Sequence, residues 1–417
     1  MNARTSREPV DVAIVGGGLV GLAAALALAD EAAGAGLRVV LIDRNPLSVW
    51  DDITFDGRAS AITATSRRML DMLGAWPAVA GHAQPMTDIV VTDSRPGAAA
   101  RPTLLRFDTG TGAGEPASHM VENRHMGQAL AGRVSAEPGI AVLAPERVLS
   151  TDRTGARASL TLESGATIAA ALIVGADGRH SPLREAAGIT SVGWDYGQSG
   201  IVTTVAHEKP HGGVAEEHFM PAGPFAILPL TGNRSSLVWT EATPEAKRIV
   251  DLDDRGFTAE LMRRFGDHLG AARPVGPRWA WPLAMHLARD MAADRLVLVG
   301  DAAHVIHPLA GLGLNLGLRD CAALAEILGE AARLGLDIGN RAALGRYEQW
   351  RRPDTVATAL AMDGLNRLFS NDNPVLKAVR DLGLGMVDRI DPLKGLFVSE
   401  AAGLTGTLPR LMRGEVV

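Results

Sequence analysis

The sequence predicts an α/β protein with a Rossmann-like nucleotide domain, a second domain built on an antiparallel β-sheet, and a helical C-terminal tail. Short apolar strands end in glycine-containing turns near residues 12–18, 171–178 and 295–301. Between residues 192 and 282, polar and apolar residues alternate as in antiparallel sheets. At 417 residues the chain exceeds one ordinary core, so these patterns are assigned to separate domains.

Composition is that of a folded, enzyme-sized protein. Hydrophobic residues make up 47% and charged residues 21%, which excludes a disordered or fibrous chain. Lys and Arg number 41 against 47 Asp and Glu, and no basic cluster is interleaved with aromatic residues, so nucleic acid is not expected as a partner. The single cysteine, Cys321, has no disulfide partner, and a reducing, cytoplasmic compartment fits best.

The first apolar stretch, residues 12–29, carries no charge and is long enough to resemble a membrane span. Gly16, Gly17 and Gly18 would interrupt such a helix, and the stretch lacks the charged lead of a secretory signal. We therefore predict a βαβ unit with a strand over 12–15, a turn over 16–21, a helix over 22–30 and a strand over 38–42.

The later elements are predicted from periodicity and turn residues in the same way. Helices are expected over 123–136 and 314–334 and beyond Tyr347, and a hairpin is expected over 158–167 with Ser164-Gly165 in its turn. Further strands are expected over 171–174, 201–205, 225–230, 235–240 and 295–299. The nucleotide domain then comprises residues 1–84, 119–185 and 287–345, the substrate domain 85–118 and 186–286, and the helical C-terminal region 346–417.

A dinucleotide-binding motif, Gly16-x-Gly18-x-x-Gly21, follows the first strand, and Asp43 ends the next strand. Glycines permit the turn and a close approach of the backbone to a pyrophosphate, which the helix N-terminus attracts. Asp43 is placed to accept hydrogen bonds from the adenosine ribose. The motif alone does not distinguish FAD from NAD, and a glycine turn without a nucleotide is the alternative.

A second motif favours FAD over NAD. Gly300-Asp301-Ala302-Ala303-His304, followed by Pro308, Gly311, Gly313, Asn315 and Asp320, resembles the second FAD signature of the p-hydroxybenzoate-hydroxylase-like monooxygenases. Asp301 can accept from a ribityl hydroxyl, and the glycines, with Leu314 and Asn315, open a long helix whose N–H groups stabilise reduced flavin. Pro308, Gly311 and Gly313 are assigned to positioning flavin and substrate, and no acid or base is assigned. An ordinary helix cap at Asp301 is the alternative.

Three more residues are candidates for cofactor contacts through the same resemblance. Asp177 lies in the Asp-Gly motif that relatives use for FAD and the nicotinamide, although such turns are common in any protein. Arg58 and Arg124 stand where relatives place arginines near the flavin diphosphate or ring. A surface salt bridge is the alternative for both arginines.

The chain is more specifically similar to the ubiquinone-biosynthesis hydroxylases through residues 121–125, 308–320 and the tail block 363–370. Relatives usually carry glutamine where this chain has Leu312, and we expect Leu312→Gln to be tolerated. His304 and His307 lack the acidic partner of a metalloprotease motif, so no metal is expected and hydrogen-bonding or packing roles are predicted for both.

This resemblance implies an FAD-dependent monooxygenase that hydroxylates the ring of a polyprenylated phenol in ubiquinone biosynthesis through a flavin C4a-hydroperoxide. NADPH, NADH or a ferredoxin would supply electrons, and O₂ the oxygen atom. The alternatives are a monooxygenase of the same fold acting on a soluble aromatic compound and a non-catalytic flavin-binding subunit. The resemblance also leaves room for a homodimer and for contacts with other ubiquinone-biosynthesis proteins.

Peripheral contact with the inner face of a membrane is expected from an apolar stripe in the tail. A protein core or an oligomer contact is the alternative explanation. The stripe consists of Leu393, Leu396, Phe397, Val398, Leu404, Leu408, Leu411 and Met412, beside Lys394, Arg410 and Arg413.

Overall fold

The computed structural model describes residues 9–52, 54–97, 101, 103–108, 115–370, 399 and 402–417. Its helices are α1 Leu19–Ala29, α2 Ala64–Met72, α3 Trp76–Val79, α4 Asn123–Ala136, α5 Pro182–Ala186, α6 Thr243–Val250, α7 Asp254–Phe265, α8 Gly313–Arg333, α9 Arg341–Phe369 and α10 Arg410–Arg413.

The strands form three sheets. They are β1 Val10–Val15, β2 Val39–Ile42, β3 Ala59–Thr63, β4 Gln84–Met86, β5 Asp88–Asp93, β6 Thr103–Asp108, β7 Ser118–Glu122, β8 Ile140–Leu143, β9 Val148–Asp152, β10 Ala158–Leu162, β11 Thr167–Gly175, β12 Ser191–His207, β13 Val214–Met220, β14 Gly223–Leu230, β15 Arg234–Ala242, β16 Ala272–Ala288, β17 Ala292–Ala293, β18 Leu296–Leu298 and β19 His304–Val305.

The first sheet has the order β17-β18-β11-β1-β2-β8, and β18, β11, β1, β2 and β8 run parallel. Its central strands are apolar because they are buried in a core that also includes residues of α1, α4 and α8. The predicted βαβ unit is confirmed, but α1 begins at Leu19 rather than Leu22. Gly18 is extended and its carbonyl already accepts the first helical bond from Leu22, so Gly21 belongs to the helix.

The second sheet has the order β19-β16-β12-β15-β14-β13-β5-β6, and all its neighbours are antiparallel except β13 and β5. One face packs on α6 and α7 through a core that includes Ile201, Trp239 and Phe257. The other face contacts the three-stranded sheet β3-β7-β4 through apolar residues including Met86 and Met120. The short strand β19 pairs with β16, so it joins this sheet although the sequence division placed residues 304–305 in the nucleotide domain.

The C-terminal part of the chain packs on the first domain. Leu411 and Met412 are buried in the core of that domain, so the prediction that they form a lipid-facing stripe is wrong for these two residues. Apolar spacing does not distinguish a surface that faces lipid from one that faces protein. The stripe residues between 393 and 398 lie outside the described residues. Across the described ranges, no helix has the length and apolar character needed to cross a membrane.

Candidate active site

The predicted motifs meet at one edge of the first sheet. Strands β1, β2, β11 and β18 are parallel, so their carboxyl ends lie side by side and deliver Gly16, Asp43, Asp177 and Asp301 to the same edge. Backbone bonds close this edge: the Gly16 N–H donates to Ile42, and the Ala176 N–H donates to Val15, both at 2.9 Å. Ligands of open α/β sheets bind at this position. We call the surface formed by these four residues and the Gly311–Gly313 segment the cleft.

The glycines of the first turn differ in their surroundings, since some pack closely against other backbone atoms and one faces open space. A Cβ on Gly16 would lie 2.2 Å from the Ala176 oxygen, and one on Gly21 would lie 1.8 Å from the Gly16 oxygen, so both positions require glycine for packing. A Cβ on Gly18 would meet nothing within 4 Å. The Asp43 carboxylate accepts from the Gly17 N–H at 2.5 Å. The turn thus presents open backbone beside an acidic side chain, as a bound dinucleotide requires.

Asp301 presents an unpaired carboxylate in the cleft. It directly follows Gly300, whose positive φ of 57° favours glycine, in the turn after β18. No hydrogen bond to its side chain is found within the described part of the chain. The carboxylate retains exposed surface, yet the surrounding protein desolvates it and raises its pKa, against the opposing influence of His304 and Arg179. A carboxylate held this way is available to a ligand hydroxyl, and the alternative role as a helix cap is not observed.

A buried ion network holds Asp301 in place. Asp320 on α8 accepts from the Gly300 N–H at 3.0 Å and from His304 at 2.6 Å, while Arg351 on α9 donates to its other oxygen at 2.8 Å. Burial acts to raise the pKa of Asp320, but His304 and Arg351 hold it below its ordinary value. The predicted hydrogen-bonding role of His304 is confirmed. His304 is therefore part of the support for Asp301.

Asp177 also carries an unsatisfied oxygen. Its Oδ2 accepts from the Leu183 N–H at 3.2 Å, whereas its Oδ1 is buried and has no partner in the described chain. Burial raises the pKa of this carboxyl, although hydrogen bonds from Ser181 and Leu183 work against the shift. Buried polar atoms are normally hydrogen-bonded, so an orphaned oxygen at the sheet edge points to a ligand.

The loop before α8 is fixed by Asn315. Its side-chain nitrogen donates to the Ala61 and Gly311 oxygens, at 2.7 and 3.2 Å, and its oxygen accepts from the Thr63 N–H at 3.0 Å. The Asn315 amide therefore supports the loop, and contact with a cofactor falls to the backbone. Gly311 has a φ of 62°. A Cβ on Gly313 would meet nothing within 4 Å, so the first helical residue faces open space.

The other side chains of this loop face protein. Leu312 is buried against Met285, Leu316 and Met362, so an amide introduced there would need a buried hydrogen-bond partner. The tolerance of Leu312→Gln stays a prediction. Leu314 is half-buried against the main core, and Pro308 is half-buried. His307 is buried edge-on against the Tyr196 ring with 5.2 Å between centroids, which confirms a packing role.

Arg58 and Arg124 lie together at one end of the three-stranded sheet, where the Asn123 N–H donates to the Arg58 oxygen at 3.0 Å. Arg58 pairs with Asp56 at 2.6 Å and leaves 51% of its side chain exposed. Arg124 pairs with Glu122 at 2.6 Å and stacks over the Phe55 ring. Both arginines thus have the ion pairs that the alternative predicted, and their assignment to the cofactor stays a prediction.

These residues fit a dinucleotide flavin from end to end. The Gly16–Gly21 turn and Asp43 suit the adenosine diphosphate half, Asp301 and Asp177 offer unpaired carboxylate oxygens, and Gly313 opens the start of α8 to a planar ring. Sequence reasoning missed Trp50, which donates from its indole nitrogen to the Gly17 oxygen at 3.2 Å and covers the turn. No spacing rule connects Trp50 to the motif, because the contact depends on the fold of residues 44–50.

Comparisons with known proteins agree with this geometry. The family described as FAD binding domain matches residues 9–361. Ubiquinone hydroxylase UbiL of Rhodospirillum rubrum is 48% identical over 97% of this chain and 92% of its own length. The 3-demethoxyubiquinol 3-hydroxylase of Escherichia coli is 35% identical over 96% of this chain and 100% of its own. The crystal structure of p-nitrophenol 4-monooxygenase PnpA from Pseudomonas putida shares the fold, with a TM-score of 0.78 at 20% identity, over 95% of this chain and 98% of that one.

Proposed function

Because the chain belongs to the FAD binding domain family, among the FAD-dependent hydroxylases of ubiquinone biosynthesis, we propose that it hydroxylates the ring of a polyprenylated phenol. The observation that carries the proposal is the 48% identity to a ubiquinone hydroxylase over 97% of the chain. The cleft supports it, since its open glycines and unpaired carboxylates could hold a dinucleotide flavin. The fold is that of the p-hydroxybenzoate hydroxylase class, as the sequence predicted.

FAD, when bound, supplies the chemistry that activates oxygen, and the chain supplies binding and electrostatics. The Gly16–Gly21 turn would hold the pyrophosphate against the N-terminus of α1, with Asp43 on the ribose. Asp301 would accept from the ribityl chain. The N–H groups and dipole at the start of α8, beginning at Gly313, would stabilise negative charge on the reduced ring. Pro308 and Gly311 would shape the loop that positions the flavin and the substrate.

The electron donor and the oxidant complete the proposal. NADPH, NADH or a reduced ferredoxin would supply two electrons, and O₂ would supply two oxygen atoms, of which one enters the ring and the other leaves as water. Stopped-flow reduction of the bound flavin by each donor, with and without substrate, identifies the donor. A donor that serves this enzyme should reduce the flavin faster when the phenol is present.

Peripheral contact with a membrane is part of the proposal, since a polyprenylated phenol dissolves in lipid. In place of the tail stripe, the surface that supports it is the pair Trp279 and Trp281 on β16, whose side chains are 42% and 52% exposed with ring centroids 6.3 Å apart. Indole rings suit the boundary between lipid and water. Replacing both by alanine should reduce co-sedimentation with anionic liposomes, whereas replacing the exposed Leu334 and Leu336 should not.

Deletion of the gene tests the function as a whole. The deletion strain should accumulate a polyprenylated precursor that lacks one ring hydroxyl, and expression of this chain should restore the quinone. An unchanged quinone pool in the deletion strain, together with fast hydroxylation of a phenol that carries no prenyl chain, would contradict the lipid substrate and favour a soluble aromatic one.

A further inference from the structure

Glu217 is an unpaired carboxylic acid on the face of the second sheet that contacts the three-stranded sheet. It lies on β13, between β14 and β5, where successive side chains point to opposite faces. Met220 packs in the core under α6 and α7, and His218 stacks on Phe225 of that core. Ala215, Glu217 and Phe219 therefore share the opposite face.

The two neighbours of Glu217 on this face locate it. Ala215 packs in one cluster with Ala61, and the Ala61 oxygen is the acceptor for Asn315 in the loop before α8. Ala61 is also the nearest neighbour of a Cβ on Gly311, at 3.3 Å. On the other side, the ring of Phe219 stacks on that of Phe369 at the end of α9, with centroids 3.8 Å apart. Glu217 thus stands between a contact to the flavin-facing loop and a contact to α9.

The immediate surroundings of Glu217 offer it no partner. Its neighbours across the sheet are Ala226 on β14 and Val91 on β5. In the part of the chain that the structure describes, its carboxyl has no hydrogen bond or ion pair. The protein encloses it while leaving some of its surface accessible, and this desolvation raises the pKa of Glu217 to about 8. An isolated enclosed acid destabilises the fold when it ionises, which is typical of functional positions.

The preceding residue, Glu216, has a very different pKa because its surroundings differ from those of Glu217. Glu216 faces the other side of β13 and lies 2.6 Å from the His268 ring and 3.1 Å from the His218 ring. Burial acts to raise its pKa, but the hydrogen bond with His268 and the nearby His218 ring hold it at about 2. The two adjacent glutamates therefore ionise over different pH ranges. Glu216 has histidine partners that explain its low pKa, whereas Glu217 has no partner in the described residues.

We propose that Glu217 binds the phenolic hydroxyl of the substrate and takes up its proton as the ring is hydroxylated. The inference rests on the proposed function and names a residue for its proton chemistry. In this step the phenol O–H bond breaks, an O–H bond forms on the Glu217 carboxylate, and the electron pair stays on the phenol oxygen, which makes the ring more electron-rich. No oxidant or reductant is consumed by the transfer itself.

The raised pKa of Glu217 suits this exchange. A phenol has a pKa of about 10. A carboxylate whose conjugate acid has the ordinary pKa is a weak base toward a phenol. A carboxyl pKa nearer that of the phenol reduces the free-energy cost of the proton transfer. The charged groups on the elements around Glu217 have contacts of their own: Asp93 on β5, the Arg234–Glu122 pair and the Arg367–Asp363 pair.

The test uses the full-length, FAD-loaded enzyme with geranylphenol in detergent. Glu217→Gln should lower kcat by roughly 100-fold, the lower limit of general-base effects, and Glu217→Asp should recover part of the loss. The kcat of wild type should rise with pH as Glu217 ionises, and this rise should be absent in Glu217→Gln. Because Gln cannot ionise, the variant should retain FAD and melt at a higher temperature than wild type at pH 8 and above. The matched control, Glu216→Gln, should lose stability and keep its kcat.

The outcomes are distinguishable. If Glu217→Gln keeps kcat within about threefold of wild type and shows the same rise of kcat with pH, the role of Glu217 is overturned while the proposed function stands. If Glu217→Gln and Glu216→Gln lose activity equally and both unfold earlier, Glu217 is structural and the inference fails. If wild type hydroxylates no phenol with any donor, the proposed function fails and takes this inference with it.

Discussion

Arg351 of α9 donates from Nε to Oδ1 of Asp320 on α8 at 2.8 Å, and both side chains are almost wholly buried. The second oxygen of Asp320 accepts from the Gly300 N–H, one residue before Asp301. A helix from the C-terminal region is therefore connected through two bonds to the residue assigned to the ribityl chain. This connection couples α9 to the turn that carries Asp301.

Replacing Arg351 by Met should break this connection. Removing one partner of a buried ion pair typically costs about 3–5 kcal/mol, so urea unfolding should register a loss of that size together with weaker FAD retention. The control is Arg346→Met on the same helix, whose pair with Glu330 is largely exposed and should contribute under about 1 kcal/mol. Equal stability of the two variants would contradict the assignment.

Asp320 also predicts a pH effect. Its pKa is lowered in the folded protein, so its stabilising contribution is present above the unfolded value of 3.8 and is lost as pH falls through the folded value. Acid unfolding below about pH 4 should therefore be shallower in Asp320→Asn, which starts from a lower stability. An acid limb identical in shape to that of wild type would show that Asp320 is not ionised in the fold.

Asp301→Ala should weaken FAD binding without weakening the fold. A hydrogen bond to a charged group contributes about 1.5–3 kcal/mol, which corresponds to a rise of roughly ten- to a hundredfold in Kd. The apoprotein should be as stable as wild type or more so, because an unpaired carboxyl with a raised pKa is removed. The exposed Asp290→Ala is the control. Fluorescence titration of apoprotein with FAD gives both constants, and equal values for the two variants would remove Asp301 from the site.

Gly313→Val should abolish activity while the apoprotein still folds. A Cβ there meets no protein atom within 4 Å, and under our proposal the added side chain would occupy the space that the flavin ring takes. We expect at least a ~100-fold loss of turnover, as for other small misplacements at a reaction centre. Gly345→Val on α9, another position with an open Cβ, should retain turnover. Normal turnover in Gly313→Val would show that the loop is misplaced.

Local signals predicted much of this fold. The helix α4 has the predicted bounds, Asn123–Ala136, and the hairpin of β10 and β11 turns through Ser164-Gly165, because these patterns depend on neighbouring residues. Contacts between residues far apart in the sequence could not be predicted from local patterns. Asn315 is tied to Ala61 and Thr63 from some 250 residues away. Glu217 lies in a run of three polar residues, Glu216-Glu217-His218, and such a run does not show from sequence which side chain faces the protein.

His307 predicts a pH-dependent stability. Burial lowers the pKa of its ring to about 4, and neither ring nitrogen has a partner within the described residues. Since the unfolded ring binds a proton below about pH 6.5, stability is lost as pH falls from 6.5 to 4, by roughly 3 kcal/mol from this group. His307→Leu should flatten that slope in thermal melts, whereas the exposed His180→Leu should not. An unchanged slope in His307→Leu would refute the assignment.

Oxygen-isotope incorporation tests the central claim most directly. Purified, FAD-loaded protein is incubated with geranylphenol, ¹⁸O₂ and whichever donor reduces its flavin, and the product is analysed by mass spectrometry. A monooxygenase must place one ¹⁸O atom in each hydroxylated ring, and Gly313→Val should yield almost none. Product that carries oxygen from water, or donor oxidation that yields only hydrogen peroxide with every phenol offered, would contradict ring hydroxylation by this protein.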